Sequence, residues 1–167
     1  MNGPQSHWEQ RIADAWATTA DRSESEVVEN ITALVGERPS GDAAALYEQA
    51  SAYDFAGREA EAEPLYRAAL VTGLDEQRRP RAMIQLASTL RNLGRAQEGV
   101  DLLRGEIGIG TRDGLEDARM AFLALALVDA GSPEEAASVA RTALAGHLPQ
   151  YKGAVLHYFA ELLTRSR

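Results

Sequence analysis

Apolar residues recur along this chain at three- and four-residue intervals, and that spacing predicts helices. Trp8, Ile12, Ala15 and Trp16 share one face of a predicted helix over Ser6–Thr19, after a frayed start at residues 1–5. A turn over Ala20–Ser23 follows. Ser23 and Glu26 then form a capping box, in which hydroxyl and carboxylate satisfy orphan amides at a helix start. Val27, Ile31, Leu34 and Val35 make the stripe of that second helix, Gly36 stops it, and Glu37–Gly41 is a linker. At the far end Tyr151, Val155, Tyr158, Phe159 and Leu162 mark a last amphipathic helix running to about Arg165, with Lys152, Glu161 and Arg165 facing water.

Between these ends the pattern repeats. Gly57, Gly94 and Gly131 each follow a predicted apolar helix and precede a second one, at intervals of 94 − 57 = 37 and 131 − 94 = 37 residues. Seven residues before each glycine stands an alanine: Ala50, Ala87, Ala124. Four before is a large residue: Tyr53, Leu90, Leu127. Five after is a small one: Ala62, Gly99, Ala136. Tyr66, Leu103 and Ala140 come nine after; Leu70, Ile107 and Leu144 come thirteen after. Small residues at fixed offsets let paired helices approach closely, and a glycine lets the chain turn without a Cβ penalty.

These columns resemble the tetratricopeptide repeat family. Leu46, Ala50, Tyr53, Gly57, Ala62, Tyr66, Ala69 and Leu70 carry the resemblance best. Met83, Leu86, Ala87, Leu90, Gly94, Gly99 and Leu103 form a second copy, and Met120, Leu123, Ala124, Leu127, Gly131, Ala136, Ala143 and Leu144 a third. Alanine replaces the early glycine, the closing proline is missing, Glu106 stands for one alanine, and the spacing exceeds the usual one, with the extra length placed in loops 72–79 and 108–114. A bacterial subgroup of the family has this look. The resemblance implies an all-α, right-handed α–α superhelix of about three helical hairpins over residues 42–148. Residues 1–41 would be a degenerate helix pair capping one end. Residues 149–167 would be a helix capping the other.

Local signals fit the division. Ser132-Pro133-Glu134-Glu135 reads as a capped helix start with proline in the first turn, and Pro80 can open a helix likewise. Pro64 falls near the second turn of its helix, where a proline removes an amide bond, so a late start or a bend is expected there.

Composition narrows the function classes. A formal charge of −8 argues against nucleic-acid or anionic-membrane partners, which need a basic face. Zero cysteines remove disulfides, thiolate metal sites and thiol nucleophiles. Residues 1–11 show neither a basic n-region nor an apolar h-region, and no apolar run approaches the roughly 20 residues of a membrane span. The expectation is a cytoplasmic protein without a cofactor. His7, His147 and His157 have no metal-ligand spacing, and Glu59, Glu61 and Glu63 read as a solvated face. Gly105, Gly108, Gly110 and Gly114 read as a flexible connection, since no Lys-Ser/Thr pair follows them as a phosphate cradle requires. With no nucleophile–base pair visible, an enzyme is not expected.

The resemblance also implies where a partner would sit. The inward positions of the first helices map to Ala44, Tyr47, Ser51, Asp54 and Phe55, then Arg81, Ile84, Ser88, Arg91 and Asn92, then Ala118, Ala121, Leu125, Val128 and Asp129. Gln85 joins Ser88, Thr89, Arg91 and Asn92 in a polar row able to hold a carboxylate or a peptide backbone, or else to pair internally, as Arg91 would with Asp54. The candidate contact residues are Tyr47, Ser51, Asp54, Phe55, Arg81, Ile84, Gln85, Ser88, Arg91, Asn92 and Leu125. The family's carboxylate clamp is not implied, because the matching positions Tyr47, Ser51, Gln85, Ala118 and Phe122 carry no charge. Two functions stay open: a scaffold for a protein or peptide, or a self-assembling module that pairs as a homodimer through Trp8/Trp16 and Tyr158/Phe159.

Overall fold

The computed structural model describes residues 4–109, 113–155 and 157–158. The expectations for residues 1–3, Gly110, Phe159, Glu161, Leu162 and Arg165 lie outside the described residues. Among those described, every regular element is helical. In order they are α1 (Pro4–Ala17), a 3₁₀ turn (Thr19–Asp21), α2 (Glu24–Val35), α3 (Ala43–Phe55), α4 (Glu59–Thr72), α5 (Arg78–Asn92), α6 (Ala96–Ile109), α7 (Glu116–Asp129) and α8 (Pro133–Ala145). Residues 152–155 and 157–158 are helical as well. Two compact units result, Met1–Ala82 and Met83–Arg167, with the division falling inside α5.

The first unit packs α1, α2 and α3 around Trp8, Ile12, Val27, Ile31, Leu34, Ala45 and Ala52. Each Val, Leu or Ile among them contributes roughly 1.5–3 kcal/mol when taken from water, and each alanine less. The Trp8 indole N–H donates to the Leu34 carbonyl at 2.9 Å, which satisfies a polar group that burial would otherwise strand. Helix α1 begins at Pro4, two residues before the start expected at Ser6. The capping box at α2 is complete: Ser23 accepts from the Glu26 amide, and the Glu26 carboxylate accepts from the Ser23 amide. Its charge-assisted bonds hold Glu26 below the usual carboxylate range.

Helices α3 and α4 close around Ala50, Ala62 and Tyr66, all fully buried. The Tyr66 hydroxyl donates to Ser51 at 3.3 Å, and its ring meets Tyr47 at 6.1 Å between centroids. Burial, reinforced by the charge of Asp54, drives the Tyr66 phenol well above its usual range. The late start expected at Pro64 does not occur, because α4 begins at Glu59 and places Pro64 sixth. Both Pro64 and Ala60, whose carbonyl loses the missing amide, are exposed, and water can replace the bond.

In the second unit Ile84, Ala87, Val100, Leu103, Leu123, Ala124, Leu127 and Ala136 form one core drawn from α5 to α8. The alanine column is inside: Ala50, Ala87 and Ala124 are 0%, 1% and 9% exposed. At Gly99 a Cβ would lie 2.8 Å from the Ala87 carbonyl oxygen, so α5 and α6 approach to a distance that only glycine permits. The column thirteen residues after each turn is different, with Ile107 and Leu144 exposed.

The three turns share one geometry. Gly57, Gly94 and Gly131 take φ of 65°, 76° and 80°. The amide that follows each, of Arg58, Arg95 and Ser132, donates at 2.8 Å to the carbonyl of Tyr53, Leu90 and Leu127 respectively. This is the six-to-one bond of a Schellman motif, repeated three times, and it satisfies a carbonyl that the helix end leaves open.

Other starts differ from expectation. Ser132 sits at the N-cap of α8, yet its side chain makes no capping bond; Pro133 at the first position sets the start instead. Pro80 is the third residue of α5, not the first. Gly105 and Gly108 belong to α6, which buries Leu103 and Glu106 and so carries the helix through both glycines.

Candidate partner-binding surfaces

Carboxylates position the first helix of each hairpin. Asp42 accepts from the Ala45 amide at 2.9 Å. Asp75 accepts from the Gln77 and Arg78 amides at 2.9 and 2.8 Å, and Asp113 from the Leu115 amide at 3.0 Å. Burial raises the carboxyl pKa of Asp42 and Asp75, but the backbone and arginine bonds outweigh it and leave both below the usual range. Sequence reading passed over these three aspartates. The available signal was an Asp a few residues ahead of each apolar helix.

In the first unit the candidate residues divide by burial. Tyr47 and Ser51 are buried between α3 and α4, so they shape the interior rather than offer a surface. Asp54 is half-buried, and Phe55 is exposed with its ring set edge-on to Trp16 at 6.2 Å. Arg81 is exposed and donates to the Gln77 carbonyl at 3.0 Å.

Behind them lies a charged cluster that sequence reading missed. Glu48 is buried and accepts from the Trp16 indole at 2.8 Å and from Arg78 Nε at 3.0 Å. Arg78 also pairs with Glu9 and, at 2.9 Å, with Asp75. Burial pushes the Glu48 carboxyl up, and the Trp16 and Arg78 bonds only partly oppose it. Burial disfavours the Arg78 charge too, but its carboxylate partners dominate and raise it above the usual arginine value.

The first unit also holds a cleft of ≈ 350 Å³ between residues 35–42, α3 and the Leu65 side of α4. Gln49 lines it, and the Nε2 of that side chain is sealed from water without a hydrogen-bond partner. An orphaned donor of this kind costs roughly 1–3 kcal/mol.

In the second unit the polar row turns out to be mixed. Ile84 and Thr89 are buried, and the Thr89 hydroxyl donates back to the Gln85 carbonyl at 2.9 Å. Gln85, Ser88 and Arg91 are half-buried and Asn92 is exposed. Arg91 pairs with Asp129 at 3.5 Å and donates to Asn92 Oδ1 at 3.0 Å, so its internal partners lie within the second unit. An ion pair this open contributes well under about 1 kcal/mol, so the guanidinium is readily exchanged to another acceptor.

Beside α7 and α8 runs an open groove of ≈ 510 Å³ lined by Ala121, Ala124, Leu125, Val128, Pro133, Ala136, Ala137 and Ala140. Its lining is apolar throughout, and Leu125 and Val128 are 46% and 52% exposed. Leu125 is the candidate contact residue found here, beside Ala121 and Val128 from the inward positions; Pro133, Ala137 and Ala140, on the second helix, were not foreseen as surface.

The self-assembly surface is reduced. Trp8 is buried in its own core, and Trp16 packs against that core and bonds Glu48. Tyr158 remains exposed. Among the described residues no helix is long and apolar enough to cross a membrane.

A comparison with curated proteins finds no match. A sequence profile of the family described as tetratrico peptide repeat matches residues 43–162, from the start of α3 onward. With its repeated glycine turns, buried alanine column and paired helices, the chain belongs to the tetratricopeptide repeat family.

Proposed function

We propose that this chain is a binding module for a protein or peptide, with no catalytic role of its own. Family membership supports the general role. The observation that carries the reading is the apolar groove on α7 and α8, where Leu125 and Val128 stand in water. An apolar groove of this size is the usual seat of a bound segment. A partner segment would lay an apolar face against Leu125, Val128 and the alanines, whose small side chains admit a close backbone. The polar contacts proposed in the second unit are Gln85, Ser88, Arg91 and Asn92; those proposed for the first are Asp54 and Arg81, with an apolar contact from the Phe55 ring. Tyr47, Ser51 and Ile84 would act by shaping these surfaces from beneath.

Capture of partners from the native host by wild type and by the triple variant Leu125→Ser, Arg91→Ala, Asn92→Ala tests the reading. All three positions are at least partly exposed, so a folded variant is expected, checked by its circular dichroism. Loss of the recovered partner is expected. Recovery equal to wild type would remove this surface from consideration.

A further inference from the structure

The cleft beside α3 has no part in the groove on α7 and α8; the two lie in different units. At ≈ 350 Å³ it falls at the small end of ligand sites, which suits one residue with its flanking backbone. Its walls are largely apolar, with Val35, Pro39, Leu46 and Leu65 among them. The charges at its edge are already matched. Arg38 donates to Asp42 from Nε at 3.2 Å and from Nη2 at 2.6 Å, and its guanidinium lies 5.1 Å from the Trp8 ring centre. An ionic ligand would therefore have to break that pair, whereas a neutral one would not. Gln49 is the unsatisfied group: it is only 8% exposed, and its Nε2 has no acceptor.

A carboxamide offers one donating and one accepting edge, the same complement that a peptide residue presents through its carbonyl and amide. The terminal amide torsion of glutamine is broad, so the N–H can turn into the cleft without leaving a rotamer well. We propose that this cleft is a binding site for an extended peptide segment, taking one uncharged, leucine-sized apolar side chain while the Gln49 carboxamide bonds that residue's backbone. The side chain would be enclosed by Leu46, Leu65 and Val35. Glycine would leave the cleft empty, and a charged side chain would be excluded by the closed Arg38–Asp42 pair.

The test is a titration of the full isotopically labelled chain with N-acetyl-leucine N-methylamide, read by NMR at the Gln49 side-chain amide and the backbone amides of Ser40, Gly41 and Leu46. For a probe this small a Kd of about a millimolar is expected. The glycine analogue of the probe should bind at least ~10-fold more weakly, since it leaves the apolar walls uncovered. Gln49→Met, which keeps the length and removes both polar edges, should weaken the leucine probe by ~10-fold. Leu65→Ala, at a half-exposed position, should weaken it several-fold without disturbing the fold, and provides the same test from the apolar side. Leu125→Ser should leave all of these shifts unchanged, which separates this site from the groove. Absence of saturable shifts in wild type would overturn the proposal. So would equal binding by the glycine analogue, or binding that survives both Gln49→Met and Leu65→Ala.

Discussion

Replacing Gly99 by alanine should destabilise the protein, although the same change elsewhere in α6 should stabilise it. Glycine inside a helix costs roughly 0.5–1 kcal/mol relative to alanine, because the unfolded chain loses more freedom. That gain is available at Gly105, where an added Cβ meets nothing within 4 Å. At Gly99 the added carbon would fall 2.8 Å from the Ala87 carbonyl oxygen and 3.5 Å from the Ala87 Cα. Ordinary carbon–oxygen contacts begin near 3.3 Å, so α5 and α6 must part by about half an ångström. The obstacle is backbone, which cannot rotate away. Overpacking of this kind costs roughly 1–3 kcal/mol. Subtracting the helix gain leaves a net loss centred on about 1 kcal/mol and reaching about 2.5 kcal/mol, or up to roughly 10 °C in melting temperature for a chain of this length. Urea unfolding of wild type, Gly99→Ala and Gly105→Ala, followed by far-UV circular dichroism, reads all three. The expected order is Gly105→Ala above wild type above Gly99→Ala. If Gly99→Ala matches Gly105→Ala, the close approach of the two helices is not what selects glycine there.

Three further outcomes follow from the same geometry. Gly94→Ala should cost about 1–2 kcal/mol, because φ of 76° is strained for alanine while nothing within 4 Å obstructs the methyl group; Gly94→Asn should cost less, and denaturant midpoints distinguish the two. Trp16→Phe should cost roughly 1.5–3 kcal/mol in the same assay, since it keeps a ring beside Phe55 but strips a donor from the buried Glu48 carboxylate. Glu48→Gln should change how stability varies with pH. The native Glu48 carboxyl is raised, so its charged form weakens the fold as pH climbs through and above the usual carboxylate range, whereas the lowered Asp42 and Asp75 lose their contribution only as pH falls below it. Unfolding across a pH series should show the variant gaining on wild type between mildly acidic and neutral pH; a constant difference would contradict the sign.

The repeat turns were legible in sequence because the chemistry leaves few options. A helix end that needs positive φ selects glycine, and three glycines in step advertise three equal turns. The buried alanine column was legible for a similar reason: helices in contact need small residues at fixed offsets. The outer column was not, because Leu144 follows the spacing yet is 57% exposed, and periodicity does not say which faces find a neighbour. The candidate contact residues were legible as positions on helices but not as surface. Tyr47 and Ile84 occupy the offsets of inward-facing residues and are buried, since large apolar side chains at half-covered sites sink into whatever core lies beneath. Gly105 and Gly108 looked like a loop on propensity alone, and packing of Leu103 and Glu106 overrode it. The Glu48 cluster joins residues separated by 32 and 30 positions, a distance at which no local pattern operates.

That separation has a temporal meaning. While the chain is being synthesised, α1 to α3 emerge well before Arg78, and Glu48 must wait for its guanidinium until the start of α5 has left the ribosome. A carboxylate held away from water with only an indole for company is an unfavourable state, so stepwise packing of the nascent segment is penalised at Glu48. The finished packing around Glu48 is therefore favoured only once Arg78 is in place, which couples the closure of α1 to α3 to the start of α5.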